Sequence, residues 1–86
     1  MHKTITELRE DIDRIDRQLV ELLNNRANVV MQIGQIKRME GLQVEDSSRE
    51  EDIVRLAEDS NPGPFSRNAI RNIFMAIMSE SRKLQA

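Results

Sequence analysis

Five polar side chains interrupt otherwise regular apolar stripes, and they are the residues best placed to do chemistry. Arg26 sits in a ladder that reads Ile5, Leu8, Ile12, Ile15, Leu19, Leu22, Arg26, Val29, Ile33, Ile36. Lys37 follows Arg26 by eleven residues, about three helical turns and only ~20° of rotation away. Ser81 and Gln85 continue the stripe of Phe74 and Met78 at i,i+4 spacing. Arg49 stands with Asp46 and Glu50 at the opening of a shorter periodic segment. Each has a plain structural use. An arginine in a seam sets register or forms half of an ion pair, and a lysine snorkels. A serine bonds back to its own helix, a glutamine near an end frays, and Asp46 and Glu50 cap and complement a helix dipole. Together, however, Arg26, Lys37 and Arg49 would leave unpaired charge among apolar side chains unless an anion fills the space. That combination implies a pocket for a small organic polyanion, with a few neutral donors beside the cations.

These residues need helices to carry them. The ladder's 3-4-3-4 spacing predicts one helix over roughly 4–39, with Thr4 or Thr6 as its cap and Gly41 ending it. Residues 40–47 read as a loop with Leu42 and Val44 as anchors. Ser47 and Ser48 each precede a glutamate by three positions, so a capping box opens a second helix near 48–59, with Ile53, Leu56 and Ala57 on its apolar face. The segment SNPGPFS is a turn, and Ser66 caps a third helix over roughly 66–84 whose stripe is Ile70, Ile73, Phe74, Ile77 and Met78. No strand candidate, repeat or low-complexity tract is visible. The fold class is therefore all-α, a single domain over 1–86 with one long, one short and one medium helix.

A helix of about 35 residues spans about 50 Å, too long for the core of one chain of 86 residues. It calls for a partner helix, and a second copy is the economical source. Arg9 lies 17 residues before Arg26, about 25 Å away along the helix and on another face. From spacing alone an exposed pairing with Asp13 is the simpler reading. The alternative is that Arg9 serves the pocket of a second, antiparallel chain.

Composition closes other routes. With no cysteine and His2 as the one histidine, no disulfide, thiolate metal site, cysteine nucleophile or histidine triad is expected. No metal or cofactor is implied. A net charge of −2 and only Phe65 and Phe74 as aromatics argue against nucleic acid as a partner. No apolar run approaches the ~18 residues of a membrane span, and the N-terminal segment lacks a signal-peptide core. A cytoplasmic location is the expectation.

The motifs LRxxIDxID at 8–16, LLxxR at 22–26, IGxxK at 33–37, DxxRE at 46–50 and SxxxQ at 81–85 occur in order on the three helices. Together they resemble the AroQ-class, all-helical chorismate mutases over nearly the whole chain. The resemblance implies an intertwined homodimer whose long helices pack together, with Arg9 donated across subunits. Arg26 would hold a carboxylate of chorismate with that Arg9, and Lys37 would reach a carboxylate and the ether oxygen of the breaking bond. Gln85 would donate to the same oxygen. Arg49, Glu50 and the backbone near Asp46 would line the pocket, with Glu50 meeting the ring hydroxyl and Ser81 the ring side or its carboxylate. The implied reaction is the intramolecular rearrangement of chorismate to prephenate, which needs no nucleophile, metal or cofactor.

The proline- and glycine-rich turn resembles the mutase domains joined to DAHP synthase, where the pocket could also serve as a sensor for prephenate or chorismate. Isochorismate pyruvate-lyase and a regulatory binding module are the alternative functions. Because a glutamine amide donates without being protonated, the mutase reading predicts a broad pH optimum. Rates between about pH 6 and 8 are expected to stay level, and a sharp loss in that interval traceable to position 85 would contradict it.

Overall fold

The computed structural model describes residues 2–43 and 46–85, so the predicted anchor Val44 lies outside the described residues. The chain forms α1 (Ile5–Met39), α2 (Ser47–Asp59) and α3 (Arg67–Gln85), with no strand among the described residues. α1 is capped by Thr4 rather than Thr6. The Thr4 hydroxyl accepts from the Glu7 amide at 3.1 Å, and the Glu7 carboxylate accepts from the Thr4 amide at 3.1 Å, a reciprocal capping box. It ends in a Schellman turn. Gly41 takes φ 69°, its amide donates to the Arg38 carbonyl at 3.3 Å, and the Leu42 amide donates to the Lys37 carbonyl at 2.7 Å. Leu42 is thus anchored through its main chain; its side chain, expected to anchor the loop, is exposed.

α2 corrects the sequence reading in two ways. Its cap is Asp46, whose carboxylate accepts from the Arg49 amide at 3.0 Å, so the helix begins at Ser47 and neither serine is the cap. A carboxylate one residue upstream is an equally good acceptor and adds a charge at the positive helix end. The buried face also differs: Val54 is fully buried and Glu58 nearly so, while Leu56 is 63% exposed. Glu58 hides the stripe because it is polar. Its carboxylate is flanked by Arg67 Nε at 3.3 Å and Arg71 Nη2 at 3.2 Å, which offsets the burial of its charge. α3 begins as expected, with the Ser66 hydroxyl accepting from the Ala69 amide at 3.0 Å, and runs one residue further, through Gln85.

α3 lies between the other two helices and packs on both, whereas α1 and α2 do not pack on each other among the described residues. The interior is small, since Val54 and Met78 are the buried apolar side chains among the described residues. Toward the other helices α1 turns Arg26, Ala27, Val30, Gly34 and Lys37, all wholly or partly buried. Much of its apolar ladder points outward instead, from Ile5 at 68% exposed to Leu22 at 65% and Ile36 at 52%. The radius of gyration is 16.4 Å and the extents are 59 × 23 × 16 Å, against about 12 Å for a compact chain of this length.

Three solvent-accessible carboxylates tie local structure to pH. Hydrogen bonds hold Glu7 (from the Thr4 backbone, then its hydroxyl), Asp11 (from Lys3, then Arg14) and Glu51 (from Arg71) below the usual carboxylate range. A lowered folded-state value gives stability that is present above the unfolded-state value and lost as pH falls through the folded one. The urea midpoint is expected to hold from neutrality down to about pH 5 and to fall below about pH 4. A midpoint that rises on acidification would contradict this.

Candidate active site

The gap between α1 and α2, floored by α3, is a cavity of about 250 Å³. Its walls are apolar where the helices face one another, with Val29, Val30 and Ile33 on α1, Ile53 on α2 and Met78 on α3. Polar groups enter from each element. α1 supplies Arg26 and Lys37, the N-terminus of α2 supplies Asp46, Arg49 and Glu50, and the end of α3 supplies Ser81, Arg82 and Gln85. Seven of the eight residues singled out in the sequence therefore line one space.

Arg26 reaches the site because α1 turns it inward beside Ala27. Its Nη1 donates to the Ser81 hydroxyl at 3.1 Å, and that hydroxyl in turn donates to the Ile77 carbonyl at 2.6 Å. Ser81 thus bonds back to its own helix and at the same time holds the guanidinium in place. Arg26 also borders two adjoining clefts, so it sits at the junction of the three helices. Gln85 Nε2 donates to the Val30 carbonyl at 3.3 Å, and its main-chain carbonyl accepts from Arg38 Nη1 at 2.8 Å. These two contacts order the last turn of α3 against α1, where a free helix end would fray. Gly34 makes the approach possible: a Cβ there would lie 3.3 Å from Gln85 Cγ.

Both carboxylates at the cavity are already engaged, Asp46 by the Arg49 amide and Glu50 by Arg82 Nη1 at 2.6 Å. The lining holds four cationic side chains and two carboxylates, an excess of two positive charges at neutral pH. A low-dielectric, cation-rich cleft of this kind draws in and retains a small anion. Of the neutral groups, the Ser81 hydroxyl gives its proton to the Ile77 carbonyl and orients Arg26, while the Gln85 amide keeps a second N–H beyond its bond to the Val30 carbonyl.

Arg9 is exposed and away from this cavity, and it makes no ion pair with Asp13 among the described residues. Arg82 is the site residue that the sequence reading missed. A signal was available, since it follows Met78 by four positions on the same helix face, but a charged residue beside Lys83 reads as part of a solvated surface.

Residues 8–86 match the family model described as chorismate mutase type II. The chain is 36% identical over 85 residues to the bifunctional chorismate mutase/prephenate dehydratase of Aquifex aeolicus (strain VF5), covering 94% of this chain and 24% of that protein. It is 36% identical over 84 residues to the protein of the same name from Neisseria gonorrhoeae, covering 93% of this chain and 23% of that one. The chain thus spans about a quarter of the length of these curated relatives. Among solved structures, chorismate mutase (form II) from Thermus thermophilus superposes with a TM-score of 0.94 at 35% identity, covering 96% of this chain and 94% of that one. The second activity in both bifunctional relatives' names is prephenate dehydratase; DAHP synthase appears in neither.

The contact at Gly34 gives a test. Gly34→Ala is expected to keep the fold, because the gain of about 1 kcal/mol in helix propensity offsets a shift of a flexible side chain by a few tenths of an ångström. With chorismate as substrate it should lower kcat by about tenfold through displacement of the Gln85 amide. Unchanged kcat in a normally folded variant would remove Gln85 from the reacting geometry.

Proposed function

The chain belongs to the chorismate mutase type II family, and from that premise we propose that it converts chorismate to prephenate at the cavity between α1, α2 and α3. The observation that carries this reading is the convergence of Arg26, Lys37, Arg49, Ser81 and Gln85 on one apolar-walled space. The substrate is a flexible dicarboxylate, and the cavity's excess of two positive charges matches its charge.

The rearrangement is intramolecular: the ether C–O bond breaks as a C–C bond forms, and no group enters or leaves. Two effects are open to the protein. The first is orientation, in which Arg26 and Arg49 hold the carboxylates so that the chain folds over the ring. The second is electrostatic: negative charge grows on the ether oxygen as its bond stretches, and Lys37 and the Gln85 amide are donors suited to meet it. The Ser81 hydroxyl fixes Arg26 and lies at the ring side. Glu50 accepts from the ring hydroxyl, and Asp46 presents the first turn of α2.

The outward apolar ladder of α1 supports a homodimer in which two long helices pack together. In that assembly Arg9 of the second copy would join Arg26 at a carboxylate. Sedimentation at micromolar concentration is the direct measurement. For a partner domain, the composition of the 60–66 turn supports the DAHP synthase setting, and the matched relatives support prephenate dehydratase. A cytoplasmic setting accompanies the reading, supported by a cysteine-free sequence. No helix of the described residues is long and apolar enough to cross a membrane.

Loss of chorismate absorbance with purified protein tests the activity. Lys37→Ala and Gln85→Ala are each expected to lower kcat by at least ~100-fold with retained helical circular dichroism; unchanged rates in both would overturn the reading. Pyruvate released from isochorismate would instead indicate a lyase. Tight prephenate binding without turnover would indicate a regulatory module.

A further inference from the structure

Arg82 and Glu50 stand on different helices and meet at the rim of the cavity. Arg82 projects from the last turn of α3, and Glu50 lies in the first turn of α2. Both line the cavity, and the Arg82 Nη1 to Glu50 Oε1 distance is 2.6 Å. The Glu50 side chain is 24% exposed and the Arg82 side chain 41%, so the pair is neither buried nor freely solvated.

Two properties of Glu50 make that contact consequential. A carboxylate at the mouth of a site for a dianion repels its own ligand unless its charge is offset locally. It also has two oxygens and several low-energy rotamers, so reading a hydroxyl needs one oxygen held and the other presented. A guanidinium on Oε1 satisfies both requirements: it cancels the charge and leaves Oε2 as the oxygen available to a hydroxyl.

We propose that Arg82 is a positioning residue for the chorismate reaction, acting through Glu50 to fix the acceptor for the substrate's ring hydroxyl and to offset its repulsion of the dianion. The assignment rests on the mutase reading above. Neither effect changes as the ether bond stretches, because the hydroxyl and the carboxylates are the same in ground and transition state. Arg82 therefore acts on KM rather than on kcat.

Steady-state kinetics with chorismate on the wild type, Arg82→Met, Arg82→Lys, Glu50→Gln and the Arg82→Met/Glu50→Gln double variant test this. Helical circular dichroism is recorded for each protein. Arg82→Met is expected to raise KM by about tenfold, the loss of one charge-assisted hydrogen bond, with kcat within about threefold of wild type. Arg82→Lys keeps a cation of similar reach and should recover part of the rise. In the Glu50→Gln background, adding Arg82→Met should move KM by less than about twofold, since the group it positions is already neutral.

An equal KM increase in both backgrounds would overturn the proposal and mean that Arg82 meets the substrate itself or serves only the fold. An unchanged KM in Arg82→Met, or a loss confined to kcat, would also overturn it. A wild-type protein inert toward chorismate overturns the mutase reading and this proposal together, an outcome seen before any variant is compared.

Discussion

Scarcity of hydrocarbon inside one chain governs this structure. With Val54 and Met78 as the buried apolar side chains among the described residues, polar contacts join the partly buried apolar side chains in tethering the three helices. Arg26 holds Ser81, Arg38 holds the end of α3, Gln85 reaches the Val30 carbonyl, and Glu58 sits between Arg67 and Arg71. All but the Glu58 cluster also shape the cavity. The contacts that keep α1 and α3 together are therefore also the ones that hold Arg26 and Gln85 at the cavity.

The chemistry suited to such a site avoids proton transfer. Arginine guanidinium groups, an ammonium, a hydroxyl and an amide can all donate near neutrality without changing charge. A bond rearrangement within one molecule needs only shape and a sink for developing charge, and the proposed reaction asks nothing more of these groups. The overall charge of −2 conceals this, because the excess of cations is confined to one cleft while acidic side chains populate the outer faces.

What is legible in the sequence follows from how each signal arises. α1 is plain because its 3-4 ladder runs uninterrupted and Thr4 and Glu7 stand three apart. Seven of the eight candidate site residues meet because Arg26 and Lys37 share one side of α1, Ser81 and Gln85 continue the stripe of Met78, and Asp46, Arg49 and Glu50 open α2 beside them. The α1 ladder itself is a poor guide, since much of it faces outward. The cap of α2 is misread because Ser-x-x-Glu patterns at 47 and 48 compete with Asp46, and only geometry decides which oxygen reaches the first free amide. Val54 and Glu58 escape notice because a buried carboxylate flanked by arginines from another helix breaks the apolar period that sequence reading depends on. Arg82 escapes for the related reason that a surface-type residue acquires its meaning from a partner 32 positions away. Arg9 stays outside the cavity of its own chain, and no hydrogen bond or ion pair among the described residues reports on it.

α1 carries one set of side chains on its inner face and a different set on its outer face, with no loop between them. Each residue of an α-helix turns the next by about 100°. A single insertion or deletion within α1 would swing Arg26 and Lys37 out of the cleft, or the apolar ladder into it. This helix is free to drift in composition during descent but not in length, whereas the 60–66 turn, which carries no residue of the main cavity, can gain or lose positions. Alignments of relatives should show gaps gathering at that turn and an unbroken column count along α1.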